Sequence, residues 1–128
     1  QALTKKPDYW VAANDLAYLL CENPASSRDL DRALKMAQKA LKEHPEEMTI
    51  MDTLGWVYYK RGDMGHALSY IGRVQAKYPQ SPVVNYHMGM VLYKSGKRAQ
   101  ARESLRKALA GGAFFTGREE AAAILKSL

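Results

Sequence analysis

Cysteine is nearly absent from this chain: Cys21 stands alone in 128 residues, which excludes an intrachain disulfide and leaves the redox compartment open. Proline and glycine are sparse, at five and nine, and most sit where helices should end. No uninterrupted apolar run is long enough to span a membrane. Neither a His-Glu-x-x-His nor a paired-cysteine spacing occurs, and His44, His66 and His87 fall on different turns or helices. No glycine-rich phosphate loop follows a strand, and no strand is expected. Enzyme activity, a bound metal and a cofactor are therefore not expected. The chain opens on Gln1 rather than Met and shows no signal peptide, as expected of a fragment or a processed product, and this says little about location.

What is present is apolar content of 47%, enough to argue against disorder, and a charge of +6. That charge permits an acidic partner, a nucleic acid or an anionic membrane surface. It is distributed in stripes. Arg28, Arg32, Lys35, Lys39 and Lys42 recur at steps of four and three and share one helix face, as do Arg98, Arg102 and Arg106, with Glu103 placed to pair with Lys107. A charge stripe opposite an apolar stripe is usually a solvated face, so nucleic acid is not the partner expected.

The chain is organised around residues 51–79, which read Met51, Leu54-Gly55, Tyr58, Ala67, Ile71, Val74 and Pro79. Thirty-four places onward, Met88-Gly89 replaces Leu54-Gly55, and Tyr93-Lys94, Gly96 and Ala101 match Tyr59-Lys60, Gly62 and Ala67. Thirty-four places back, Ala33, Leu34, Ala40 and Pro45 stand for Ala67, Leu68, Val74 and Pro79. Leu16-Ala17 lies thirty-eight places before Leu54-Gly55, so the first repeat carries about four extra residues, near 23–27. This period and this order of large, small and turn residues resemble the tetratricopeptide repeat. The reading is of one all-α domain over 1–128. Repeat one covers about 8–46, repeat two about 47–80 and repeat three about 81–113, with a capping helix at about 117–128.

The turn signals predict seven helices, ending near residues 22, 43, 61, 77, 95, 110 and 127. Asp8 is available to cap the first, and Ser81 with Pro82 opens the fifth. Gly55 and Ala67 are small where two helices of a hairpin should cross. The proline seen at 45 and 79 fails at Ala113, where Gly111-Gly112 ends the helix instead. Thr116-x-x-Glu119 reads as a capping box, and Ala121, Ile124, Leu125 and Leu128 form the apolar stripe of a helix that covers the last hairpin. Cys21 reads as a small half-buried hydrophobe.

The resemblance implies a right-handed superhelix in which the first helix of each hairpin lines a concave groove. It implies a non-catalytic scaffold that binds a protein or peptide partner. Rotation by about 100° per residue turns Thr49, Asp52, Trp56 and Tyr59 away from Leu54 and Tyr58, with Lys60 at the edge. The corresponding residues are Val83, Tyr86, Met90, Tyr93 and Lys94 in repeat three, and Val11, Asn14, Tyr18 and Cys21 in repeat one. By resemblance these line the groove, as an aromatic and amphipathic floor; the plainer reading is that several of the rings pack between helices. One subclass of the family clamps chaperone carboxylates with two lysines, an arginine and two asparagines. Asn14, Tyr18, Thr53, Val83 and His87 stand at the matching positions, so co-chaperone function is not expected. Residues 52–60, 87–90 and 117–120 resemble the C-terminal repeats of bacterial envelope lipoproteins associated with PEP-CTERM sorting, which would imply a periplasmic or envelope location and otherwise a cytoplasmic one. Two alternatives stand beside the groove: the C-terminal end of a longer array used in self-association or assembly, with Leu3 and Trp10 near an uncapped start, and anionic-surface binding through the basic stripes.

Overall fold

A computed structural model describes residues 9–128. Among the described residues the regular structure is seven α-helices and no strand. They are α1 (Tyr9–Glu22), α2 (Ser27–Glu43), α3 (Met48–Arg61), α4 (Met64–Lys77), α5 (Pro82–Lys94), α6 (Arg98–Ala110) and α7 (Arg118–Ser127). The all-α expectation holds, and the helix ends fall within one residue of those read from the turn signals. The Asp8 cap, Leu3 and the lead-in lie outside the described residues. The chain divides into two compact units at the Gly62-Asp63 turn, the first containing α1–α3 and the second α4–α7.

In the first unit, α1 packs on α2 and α3, and α2 packs on α3. The helices differ in how they are buried. In α2 the buried side chains are Ala33, Ala37 and Ala40, a narrow stripe at helical spacing with the basic residues outside it. In α3 Ile50, Met51 and all of residues 53–57 are buried, so the helix is covered on nearly every side. The start of α2 is fixed by Ser26, whose hydroxyl accepts from Arg28 N at 3.2 Å, while Asp29 accepts from Ala25 N at 2.8 Å. Its far end is tied to α3 by Gln38, which donates to the Tyr58 hydroxyl at 3.2 Å, and Asp31 pairs with Arg61.

In the second unit α5 is the central helix, packed on α4, α6 and α7. Ala67, Ile71 and Val74 on α4 and Ala101, Ser104, Leu105 and Ala108 on α6 are buried at helical spacing. Ser81 caps α5 by accepting from Val84 N at 3.3 Å, and Pro82 follows it as expected. Asn85, almost fully buried, accepts from Gln75 Nε2 at 2.8 Å and donates to the Pro79 carbonyl at 3.0 Å, which satisfies its amide inside the α4–α5 corner.

The same helix ending recurs one period apart. Gly62 (φ +88°) donates to Tyr59 O at 3.0 Å and Asp63 to Tyr58 O at 2.9 Å; Gly96 (φ +81°) donates to Tyr93 O at 3.1 Å and Lys97 to Leu92 O at 2.9 Å. Both are left-handed caps that glycine adopts without steric cost.

The start of α7 departs from the sequence expectation. Thr116 does not cap it: Gly117 is the N-cap residue, at φ +97° and with no side-chain cap. A Cβ on Gly117 would collide with the Tyr86 ring and hydroxyl, so contact with α5 sets the geometry of this turn. Tertiary packing overrides the local capping motif. On the α6 surface, Glu103 pairs with Arg106 at 3.4 Å rather than with Lys107, the three-residue step being as close as the four-residue one on a helix surface.

Candidate functional site

The residues expected to line a groove fall on α1 and α3 in the first unit and on α5 in the second. In the first unit Trp56, Lys60, Tyr18 and Cys21 gather round Glu22, the last residue of α1. Its carboxylate accepts a hydrogen bond from the Trp56 indole N–H and lies 4.0 Å from the Lys60 ammonium. Lys60 also stands 5.4 Å from the centre of the Trp56 ring. Tyr59 stacks on Trp56 with ring centres 4.4 Å apart and planes 14° apart. Trp56 is 1% exposed, whereas Tyr59, Lys60, Asp52 and Tyr18 are half-buried. Val11 and Thr49 are exposed, and Asn14 is buried with no partner for its side-chain oxygen.

The electrostatics follow from this arrangement. Burial, reinforced by the negative charges of Glu22 and Asp52, raises the Tyr18 phenol well above its ordinary value, so it remains a neutral hydroxyl. Cys21 is fully buried rather than half-buried. Its thiol donates to Tyr18 O at 3.3 Å, and burial followed by the Glu22 charge pushes it up to about 12. A thiol held neutral and covered is a packing group, not a nucleophile.

In the second unit the expected residues separate by depth. Tyr86 and Met90 are buried, Tyr93 is half-buried, and Val83 and Lys94 are exposed. Tyr86 is held from the α7 side: its hydroxyl donates to Glu120 at 3.1 Å and its ring lies 5.3 Å from Phe115. Arg118 secures the same corner by donating to Ala113 O at 2.8 Å and Leu109 O at 3.2 Å. Between α4 and α6, over Met88 and Leu92 of α5, lies an open cleft of about 490 Å3 with Gln75, Glu103 and Lys107 at its rim.

Sequence reasoning missed Glu22, Phe115 and Glu120. A signal for the carboxylates was available. Glu22 occupies the register position of Lys60 and Lys94, so a charge of opposite sign stands one repeat from a lysine. Both aromatic-to-carboxylate hydrogen bonds link residues thirty-four apart; for Tyr86 and Glu120 this is one full register step, whereas the extra residues of repeat one put Glu22 in register with Lys60 instead. Among the described residues no three His, Cys, Asp or Glu side chains gather to hold a metal. No described helix is long and apolar enough to cross a membrane. The site offers rings, hydroxyls and a compensated ion pair, a chemistry suited to contact with another polypeptide.

Consecutive helices that pack on one another within each unit and end on the same left-handed glycine one period apart define an all-α repeat protein. Two tetratricopeptide repeat family models match residues 25–82 and 84–110, together well over half of the chain. The chain belongs to the tetratricopeptide repeat family. It is 30% identical over 87 residues to a TPR repeat-containing protein of Pseudomonas aeruginosa; the match covers 68% of this chain and 14% of that relative. Tetratricopeptide repeats generally mediate protein–protein interaction and are typically non-catalytic scaffolds.

Proposed function

We propose that this chain is a non-catalytic adaptor that binds an extended or helical segment of a partner protein across the α1–α3 face. One observation carries the reading: Tyr59 is stacked on a buried Trp56 that Glu22 holds by its indole N–H. A half-buried ring fixed in this way has little conformational freedom left to lose on contact with a partner, which favours recognition. Lys60, paired with Glu22, follows Tyr59 directly on α3, and Asp52 lies two turns back on the same register face. Tyr93 and Lys94 hold the same register on α5, and we assign them the same role in the second unit.

A photo-crosslinking residue in place of Tyr59 tests the proposal, with the same residue in place of Lys39 on the outward face of α2 as control. In native lysate, adducts from position 59 should map to one partner segment and those from position 39 should not. A synthetic peptide of that segment should bind Tyr59→Ala about tenfold or more weakly. It should bind the Lys35→Glu/Lys39→Glu variant nearly as well as the parent. Equal adducts from both positions, or unchanged affinity in Tyr59→Ala, would refute the groove. Loss of binding in the charge-reversed variant alone would transfer the function to the basic face.

A further inference from the structure

The outer face of α1 carries an exposed apolar stripe that has no counterpart elsewhere among the described residues. Tyr9 is 70% exposed, Leu16 42% and Leu19 61%, and Ala12 between them is exposed as well. These residues follow one another at steps of three, four and three, so they share one side of the helix. Beside the stripe, between α1 and α2, lies an open hollow of about 180 Å3 walled by Trp10, Ala13, Met36 and Ala40, with Lys39 and Glu43 also lining it.

The period identifies what such a face meets. Ala12, Leu16 and Leu19 correspond by register to Val84, Met88 and Val91 on α5. In the second unit that face of α5 is covered: Val84 is 7% exposed, Val91 0% and Met88 half-buried. Among the helices packed on α5, α4 comes just before it in the chain and meets this face at Met88, where a Cβ on Gly72 of α4 would lie 3.5 Å from Met88 Cε. The first unit repeats the arrangement, since Ile50, Leu54 and Val57 of α3 are 0–1% exposed and α2 packs on α3. In both cases the helix ahead in the sequence lies on the following one. On α1 the equivalent face is bare. A repeat array ends on a polar outer surface, and this surface is apolar.

We propose that the Tyr9–Leu19 face of α1 is a repeat-to-repeat seam, occupied by the second helix of a further hairpin that lies ahead of residue 1 in the same polypeptide. That helix is amphipathic with an apolar inner side, as α2 and α4 are, and a larger side chain from it enters the hollow beside Trp10. The relative from Pseudomonas aeruginosa is consistent with a longer polypeptide, because 87 matched residues make up only 14% of it. This seam is distinct from the Tyr59 face, so either proposal can fail without the other.

The test compares Leu16→Asp/Leu19→Asp in the full-length gene product and in the 128-residue chain. Both leucines are exposed in the short chain, so there the variant should fold and its melting temperature should stay within a degree or two. In the full-length protein the same pair should lower the melting temperature of this region by several degrees, and amides of α1 should exchange faster with deuterium. Equal behaviour in the two backgrounds would overturn the proposal, as would a gene that encodes no helix hairpin ahead of residue 1. Sedimentation of the short chain closes the remaining route. A dimer dissociated by the substitutions would make a second copy the occupant and also overturn it, whereas a monomer supports it.

Discussion

Two mid-helix glycines of the second unit should respond in opposite directions to the same substitution. Alanine in place of glycine inside a helix ordinarily gains about 1 kcal/mol, because the glycine backbone loses more freedom on folding. At Gly72 a Cβ would meet only Met88 Cε, at 3.5 Å, an ordinary contact, so Gly72→Ala should keep most of that gain. At Gly89 it would lie 2.5 Å from Leu105 Cδ2, 2.7 Å from Cγ and 3.3 Å from the backbone nitrogen. Leu105 is fully buried and its Cγ cannot swing aside, so α5 and α6 must move apart. Overpacking of this kind costs about 1–3 kcal/mol, which leaves Gly89→Ala destabilised by up to about 2 kcal/mol after the helix gain. At roughly 4 °C per kcal/mol for a chain of this length, the two variants should melt several degrees apart, on opposite sides of the parent. Thermal and urea unfolding followed by circular dichroism measure this directly. Leu105→Ala alone should cost about 2–5 kcal/mol. Added to that background, Gly89→Ala should become neutral or stabilising, because the methyl now enters vacated space. If Gly89→Ala raises the melting temperature as Gly72→Ala does, the close crossing of α5 and α6 is wrong.

Cys21 should resist a disulfide reagent at neutral pH until the chain is unfolded, since the thiol is fully buried and titrates near 12. Because the folded state holds that proton more tightly than the unfolded one, stability should fall as pH rises from the ordinary thiol value of 9.0 towards 12. Alkaline urea titrations should show a shallower fall in Cys21→Ala, and equal slopes would count against the burial argument. Deleting residues 117–128 removes the Glu120 partner of Tyr86 and uncovers the side of α5 and α6 that α7 packs on. The truncated chain should melt lower and aggregate more readily, and an unchanged melting temperature would make α7 a free tail.

The helix boundaries were legible because each is marked by a residue whose local chemistry decides it. Gly62 and Gly96 accept the left-handed ending, Ser81-Pro82 starts α5, and Gly111-Gly112 stops α6. The start of α7 was not legible in the same way. Thr116 and Glu119 have the spacing of a capping box, but Gly117 is set by Tyr86, thirty-one residues earlier and on another helix. A local motif yields when a ring from elsewhere occupies the space it needs.

The candidate site divides along the same line. Periodicity gives the direction in which a side chain leaves its helix, so it could place Trp56, Tyr59, Tyr86 and Tyr93 on one register face. It does not give depth. Depth depends on what arrives from other helices: Glu22 reaches the Trp56 indole, and Phe115 and Glu120 close over Tyr86. Trp56 and Tyr86 are therefore supports, and the half-buried rings on the same register faces are Tyr18 and Tyr59 in the first unit and Tyr93 in the second. Truncating Trp56 would remove a fully buried ring, at a cost of about 3–5 kcal/mol, so such a variant reports on folding before it reports on binding. Under the proposed adaptor reading, this division between buried and half-buried rings makes Tyr59, rather than Trp56, the position at which to test recognition.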